Sequence, residues 1–231
     1  MRLDKYLTET NTATRKEAAS AARSGAITVN GEVVRDPSKH IDENTAKVVF
    51  RGEEVVYRRF TYIMLNKPEG YVSATDDKSA PTVLELIPEK CRKGLFPCGR
   101  LDRYTVGLMI LTNDGELSHN ILSPKHHAEK EYFFRCEKPL DRIAELENGV
   151  HIEGGYLTKP CTVTKVDDYS GRIVLTEGKY HQIKQMLHAV GNKITYLERI
   201  RFAGLTLENA PERGKWRFLT DEEIAILRSC R

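Results

Sequence analysis

The apolar and polar positions of the chain fall into short segments whose period changes repeatedly. Residues 1–24 read as two helices. The first is short, around Arg2 to Glu9, and the stretch Asn11-Thr12-Ala13-Thr14 breaks it. The second opens on a capping-box pattern, Thr14-Arg15-Lys16-Glu17, runs through the alanine-rich 18–22, and meets its stop at Gly25. Asn30-Gly31 then predicts a two-residue hairpin turn between short strands, with a third strand at 46–50. The next ten residues are charged and lack helical periodicity. Further on, residues 61–74 predict a strand, a Pro-Glu-Gly turn and a second strand. The run Gly107-Leu108-Met109-Ile110-Leu111 predicts a buried strand, stopped by the turn Asn113-Asp114-Gly115. Later strands are expected at 130–137, 157–166, 171–177 and 194–202. Helices are expected near 116–122, 139–148, 180–190 and 221–229. In the third of these, Ile183, Met186, Leu187 and Val190 recur at helical spacing and form a buried stripe. His181, Lys184 and His188 occupy a separate polar face.

This order predicts an α+β protein in two parts. A small N-terminal domain of two helices plus a hairpin covers residues 1–56, and a linker occupies 57–61. A larger domain with a mainly antiparallel or mixed sheet covers 62–231, because strands and helices intermix there without a regular βαβ repeat.

Composition narrows the function classes. At 40% hydrophobic content the chain suits a globular protein, and no apolar run approaches the roughly 18 residues that cross a bilayer. The N-terminus reaches charge at once, without a signal-peptide core, which predicts a cytoplasmic protein with no membrane association. The 5 cysteines are odd in number, scattered and without a C-x-x-C pair, so neither a disulfide framework nor a zinc site is expected. Adjacent His126 and His127 are not expected to converge on a metal ion. The net charge of +3 does not by itself announce nucleic acid; the placement of the cations must decide that. Arg2, Lys5, Arg15, Lys16 and Arg23 fall on or beside the two N-terminal helices. They read either as a solvated face or as phosphate contacts.

The stretch from Gly99 to Gly115 carries the strongest chemical signal. Asp102 stands between Arg100 and Arg103, directly ahead of the buried strand. A calcium loop fails, because Thr112 and Ile110 precede Asp114 where oxygen ligands would be needed. A phosphate-binding loop fails, because Gly99, Gly107 and Gly115 are too far apart. Two readings stay open for Asp102: an ion-pair strut holding a loop, or a single working carboxylate kept ionised by cations. Tyr132 reads on its own as a core aromatic on a strand. His181 and His188 read as surface polarity or structural hydrogen bonding.

Resemblance adds to this. "RLDKYL" followed by "TRKEAASAARSGAITVNGEVV" resembles an S4-like RNA-binding domain over about residues 1–50, with Arg15, Gly25 and Val29-Asn30-Gly31 matching in place. It implies binding of structured RNA through the two-helix face. "GRLDRYTVGLMILTNDGEL" closely resembles the signature of the RsuA-type RNA pseudouridine synthases, whose usual domain order also begins with an S4-like module. "MLNKPEGYVSATDD", "HHAEKEYFF" and "EGKYHQIKQMLHAVGNKI" resemble three further family segments. The resemblance implies that Asp102 is the catalytic residue, Tyr132 the active-site tyrosine and Lys184 the basic partner of the aspartate, with Lys67 and Arg100 among the RNA contacts. Many relatives carry arginine where this chain has Lys184, which loses the planar bidentate fork. Gln185 stands where relatives often have a basic residue.

The activity so implied is isomerisation of one uridine in ribosomal RNA to pseudouridine, with base flipping and an aspartate nucleophile attacking C1′ or C6. No cofactor is required. "KYHQIKQM" and "SATDD" look closer to the small-subunit enzymes, so the expected partner is small-subunit rRNA or the assembling small subunit, met by a monomer. The alternatives are a synthase for large-subunit rRNA and a non-catalytic S4-type RNA-binding factor.

Overall fold

The computed structural model describes residues 1–10, 12–57, 59–123 and 128–230. His126 and His127 lie outside them. The chain forms two compact units, Met1–Phe60 with Pro88–Lys93, and Thr61–Ile87 with Gly94–Arg231.

In the first unit, helices α1 (Leu3–Glu9) and α2 (Arg15–Ser24) accompany an antiparallel sheet in the order β2-β1-β3-β4. Its strands are β1 (Ile27–Val29), β2 (Glu32–Val33), β3 (Val48–Phe50) and β4 (Glu53–Val55). Leu3, Tyr6, Leu7, Ala18, Ala22, Ile27 and Val48 form its core. The capping box is present: the Glu17 amide donates to Thr14 Oγ1 at 3.3 Å, and the Thr14 amide donates to Glu17 Oε2 at 2.7 Å. Asn30 and Gly31 both take positive φ (54° and 86°), the geometry a two-residue hairpin needs. The sequence pattern does not predict β4, yet Arg51 and Gly52 repeat the same device with φ of 53° and 89°. Only Val55 of β4 is buried, so the strand carries almost no hydrophobic signal. Tyr57, expected in a linker, instead packs its ring 5.4 Å from that of Tyr6 and donates its hydroxyl to Glu9 at 3.0 Å.

The second unit is built on one long sheet. In chain order its elements are β5 (Tyr62–Lys67), β6 (Phe96–Cys98), β7 (Val106–Thr112), α3 (Gly115–Leu122), β8 (Lys130–Cys136), α4 (Ile143–Asn148), β9 (His151–Ile152), β10 (Tyr156–Leu157), β11 (Thr162–Asp167), β12 (Ser170–Leu175), α5 (Gln182–Ala189), β13 (Ile194–Phe202), β14 (Leu205–Thr206), β15 (Trp216–Phe218) and α6 (Asp221–Ser229). The sheet order is β11-β12-β8-β13-β7-β5-β15; β6 joins β7, and β14 joins β13. Only β13 and β7 run parallel; the other pairs in this sheet are antiparallel. The fold is therefore α+β with a mixed, mostly antiparallel sheet. β5 and β7 are buried at every position, which is why they read as continuous apolar runs rather than alternations.

Two expected strands differ. The segment after the Pro-Glu-Gly turn makes only an isolated bridge between Val72 and Thr82, and the turn and Ser73 are tied to a neighbouring loop. The Gly70 amide donates to the Arg103 carbonyl at 2.9 Å, and Ser73 Oγ donates to the Leu101 carbonyl at 2.7 Å. The strand expected over 157–166 is split into β10 and β11 around Pro160, which has no amide to give to a ladder. Among the described residues, no helix is long and apolar enough to cross a membrane.

Candidate active site

Asp102 sits on the loop between β6 and β7, and the loop is held from below. Lys67, the last residue of β5, is fully buried. Its ammonium donates to the carbonyls of Thr105 at 2.8 Å and of Pro68, Asp102 and Arg103 at 3.1 Å each. Burial pulls the Lys67 ammonium down to about 8, although the nearby Asp102 charge opposes the shift. Gly99, at φ +82°, admits the turn into the loop, and a Cβ there would meet Leu122 at 3.2 Å. The loop backbone is thus fixed by one cation and by the Ser73 clamp.

The carboxylate of Asp102 faces helix α5. Lys184 Nζ lies 2.7 Å from Oδ2, and His181 Nε2 lies 3.5 Å from Oδ1. Ile183, Met186 and Leu187 anchor α5 by its apolar side, which leaves Lys184 rigidly presented. His181 precedes the helix with φ +49° in the left-handed region, and its ring stacks on Tyr180 with centroids 3.8 Å apart. Gln182, buried at the helix start, donates to Glu177 at 2.7 Å and accepts from the Lys179 amide at 2.8 Å. Gln185 accepts from the Glu153 amide and donates to the Tyr180 carbonyl, each at 2.8 Å, so it secures the approach to α5.

These groups line one cavity of about 630 Å³ with Tyr132, Arg100, Lys130 and Arg199. Tyr132 (β8) is 8% exposed and forms part of the wall. Asp102, Tyr132 and Lys184, which the sequence reading grouped, come together here. Arg100 is exposed and lines the same cavity. Lys67 is a correction: expected to contact RNA, it has no exposed surface, and its charge is spent on four backbone carbonyls. In the first unit Arg15, Lys16 and Arg23 are exposed, Arg2 pairs with Asp4 at 2.8 Å, and Lys5 lies 3.6 Å from Glu9. Among the described residues, no group of three or more His, Cys, Asp or Glu could hold a metal ion.

Two cavity residues were not legible as such. His181 carried a usable signal, its i, i+3 spacing to Lys184. Arg199, 1% exposed, carried none, because its place depends on cross-strand register. Asp114, the other carboxylate of the motif, is structural. It caps α3 by accepting from the Leu117 amide at 3.0 Å, and it receives the Tyr62 hydroxyl at 2.6 Å.

The half-buried, cation-paired Asp102 shares its cavity with Tyr132 and the lysine-bearing helix, and the chain around it matches known proteins over nearly its whole length. Residues 61–189 match the RNA pseudouridylate synthase family and residues 1–46 match the S4 domain. An uncharacterized RNA pseudouridine synthase of Bacillus subtilis, YtzG, is 44% identical, over 98% of both chains. Ribosomal small subunit pseudouridine synthase A of Escherichia coli is 40% identical, over 97% of this chain and 99% of its own. A solved pseudouridylate synthase structure superposes with a TM-score of 0.70 at 37% identity, over 98% of this chain and 99% of that one. The chain belongs to the RNA pseudouridylate synthase family, with an S4 domain ahead of the synthase domain. It is an isomerase that acts on uridine in RNA.

Proposed function

We propose that the protein converts one uridine of small-subunit ribosomal RNA to pseudouridine, with Asp102 as nucleophile, Lys184 as its charge partner and Tyr132 as the surface on which the base stacks. The single observation that carries this reading is the 2.7 Å Asp102–Lys184 pair in a cavity walled by Tyr132. The relatives named for the small ribosomal subunit support the choice of RNA.

The target nucleotide leaves its stack to enter the cavity. Lys184 pairs with the Asp102 carboxylate and aims Oδ2, while His181 faces the other oxygen. Asp102 attacks either C1′ of the sugar or C6 of the uracil. The N1–C1′ bond breaks, the ring turns, and C5 takes the place of N1 on C1′. The C5 proton is lost and N1 gains one, so the reaction balances without oxidant, reductant or cofactor. The ring of Tyr132 stacks on the uracil.

Residues 1–56 act as the RNA-binding domain, with Arg2, Lys5, Arg15, Lys16 and Arg23 against phosphates and Arg100 beside the target nucleotide. Residues 62–231 are the catalytic domain, and the protein works in the cytoplasm as a monomer on free rRNA or an assembling subunit. Tritium release from small-subunit rRNA labelled with 5-³H-uridine tests the reading directly. Mapping then compares rRNA from cells with and without the gene. A pseudouridine lost from small-subunit rRNA is expected; loss from large-subunit rRNA overturns the substrate.

A further inference from the structure

Two cations of the cavity wall, Arg199 buried and Lys130 half-buried, stand without an anion. Arg199 is 1% exposed and donates Nε to the Leu108 carbonyl at 2.7 Å; its Nη2 is buried with no hydrogen-bond partner. Lys130 is half-buried, and its ammonium donates to the Ala128 carbonyl at 3.1 Å. Among the described residues neither has a carboxylate within ion-pair distance, and the Arg199 charge lowers the proton affinity of Lys67 and Lys130. The two cavity carboxylates are engaged elsewhere. Asp102 faces Lys184, and Glu177 accepts from Tyr156, the Lys159 amide and Gln182.

The sheet places these cations beside Tyr132. Arg199 of β13 is the register partner of Tyr132 on β8, and Lys130 lies two residues before Tyr132, on the same face of the strand. The register shifts between Arg199 and Arg201, a bulge of the kind that re-aims side chains. Gly107, in register with Arg199 on the other side, lets β7 and β13 close up: a Cβ there would stand 2.4 Å from the Arg199 carbonyl oxygen. Ile121, Leu122, Leu175 and Leu197 supply apolar walls to the same cavity. A flat base resting on Tyr132 between such walls presents its carbonyl edge to the two cations. An uncompensated buried charge is costly for the resting protein. It is useful where negative charge appears only during the reaction.

We propose that Lys130 and Arg199 hold the negative charge that the uracil ring acquires as its bond to C1′ breaks. When N1 departs with the bonding pair, the ring becomes an anion with charge shared over N1, O2 and O4. If Asp102 adds first at C6, the pair moves onto the C4 carbonyl, and the same edge carries the charge. The anion is discharged when C5 bonds to C1′; the C5 proton then leaves and N1 gains one, which restores the neutral ring. The assignment rests on the placement of the uridine against Asp102 proposed above.

The test is single-turnover kinetics of the full chain on a small-subunit rRNA transcript. One transcript contains uridine and a second contains 5-fluorouridine, with loss of the parent nucleoside scored in nuclease digests. Fluorine makes the departing ring a weaker base, so its cleavage leans less on outside cations. Arg199→Met is expected to slow the uridine transcript by about 100-fold or more, and the 5-fluorouridine transcript by about 10-fold less than that, with RNA affinity unchanged. Lys130→Met is expected to show the same pattern at smaller size, and it carries the test if Arg199→Met does not fold. Equal losses on the two transcripts would mean a structural role and overturn the proposal. A weakened RNA affinity with a flatter salt dependence, the saturated rate being retained, would assign the cations to a backbone phosphate instead and also overturn it. Asp102→Asn is run in parallel: activity surviving there removes the underlying placement, independently of the cation result.

Discussion

Lys67 and Asp102 meet through the backbone and not through a salt bridge. The Lys67 ammonium donates to the Asp102 carbonyl at 3.1 Å, while the Asp102 carboxylate turns away to Lys184 at 2.7 Å. One cation shapes the loop and a second addresses the working group. The two tasks therefore separate experimentally.

Lys67→Met strands the carbonyls of Asp102, Arg103 and Thr105 without their shared donor. A loss of about 3 kcal/mol in unfolding free energy is expected, read from urea titration. Activity should fall with it, because the loop no longer holds Asp102 in register with α5.

The pH dependence of Lys67 has a definite sign. Its folded pKa, about 8, lies below the ordinary lysine value of 10.5. Between these values the unfolded chain binds more protons than the folded one, so stability rises with pH across that window. Relative to Lys67→Met, the wild-type protein should gain at most about 3 kcal/mol between pH 8 and 10.5. Urea titrations of both proteins at several pH values check this, since other titrating groups cancel in the difference.

Asp102 and Lys184 differ in what each contributes to the pair. Asp102→Asn should show no detectable isomerisation, with melting temperature and RNA affinity near those of the wild type, because the carboxylate is lost and Asp114 is committed to capping α3. Lys184→Met should lower the single-turnover rate about 100-fold, whereas Lys184→Arg, which keeps the charge, should stay within about 10-fold. Tritium release measures all three.

Gly107→Ala should unfold the second unit or cost more than about 3 kcal/mol. Its φ of +100° is unfavourable for alanine, and the new Cβ would collide with the Arg199 backbone at 2.4 Å. Soluble yield and the urea midpoint report the outcome.

Arg15 and Lys16 are exposed on the first turn of α2. The double change to alanine should weaken RNA binding and reduce the slope of log affinity against log salt by about 1 to 2, without altering the rate at saturating RNA. An unchanged slope would remove these residues from the RNA interface.

Local physics made much of this protein readable from its sequence. Thr14 and Glu17 cap α2, Asn30-Gly31 turns the hairpin, and the apolar runs of β5 and β7 announce full burial, because each signal involves neighbours in the chain. The stripe of Ile183, Met186 and Leu187 likewise implied a polar face bearing Lys184. The motif around Asp102 pointed to the carboxylate through resemblance, since spacing alone favoured a strut. Tertiary structure decided the rest. Lys67 became a buried scaffold because three carbonyls from a distant loop converge on it beside that of its neighbour Pro68. Residues 71–74 make only a single bridge to Thr82 and are tied to that same loop through the Ser73 side chain. Arg199 reached the cavity through its register with Tyr132 and the missing side chain of Gly107. Register, close approach and convergence of distant carbonyls depend on pairings between segments tens of residues apart, which no local pattern encodes.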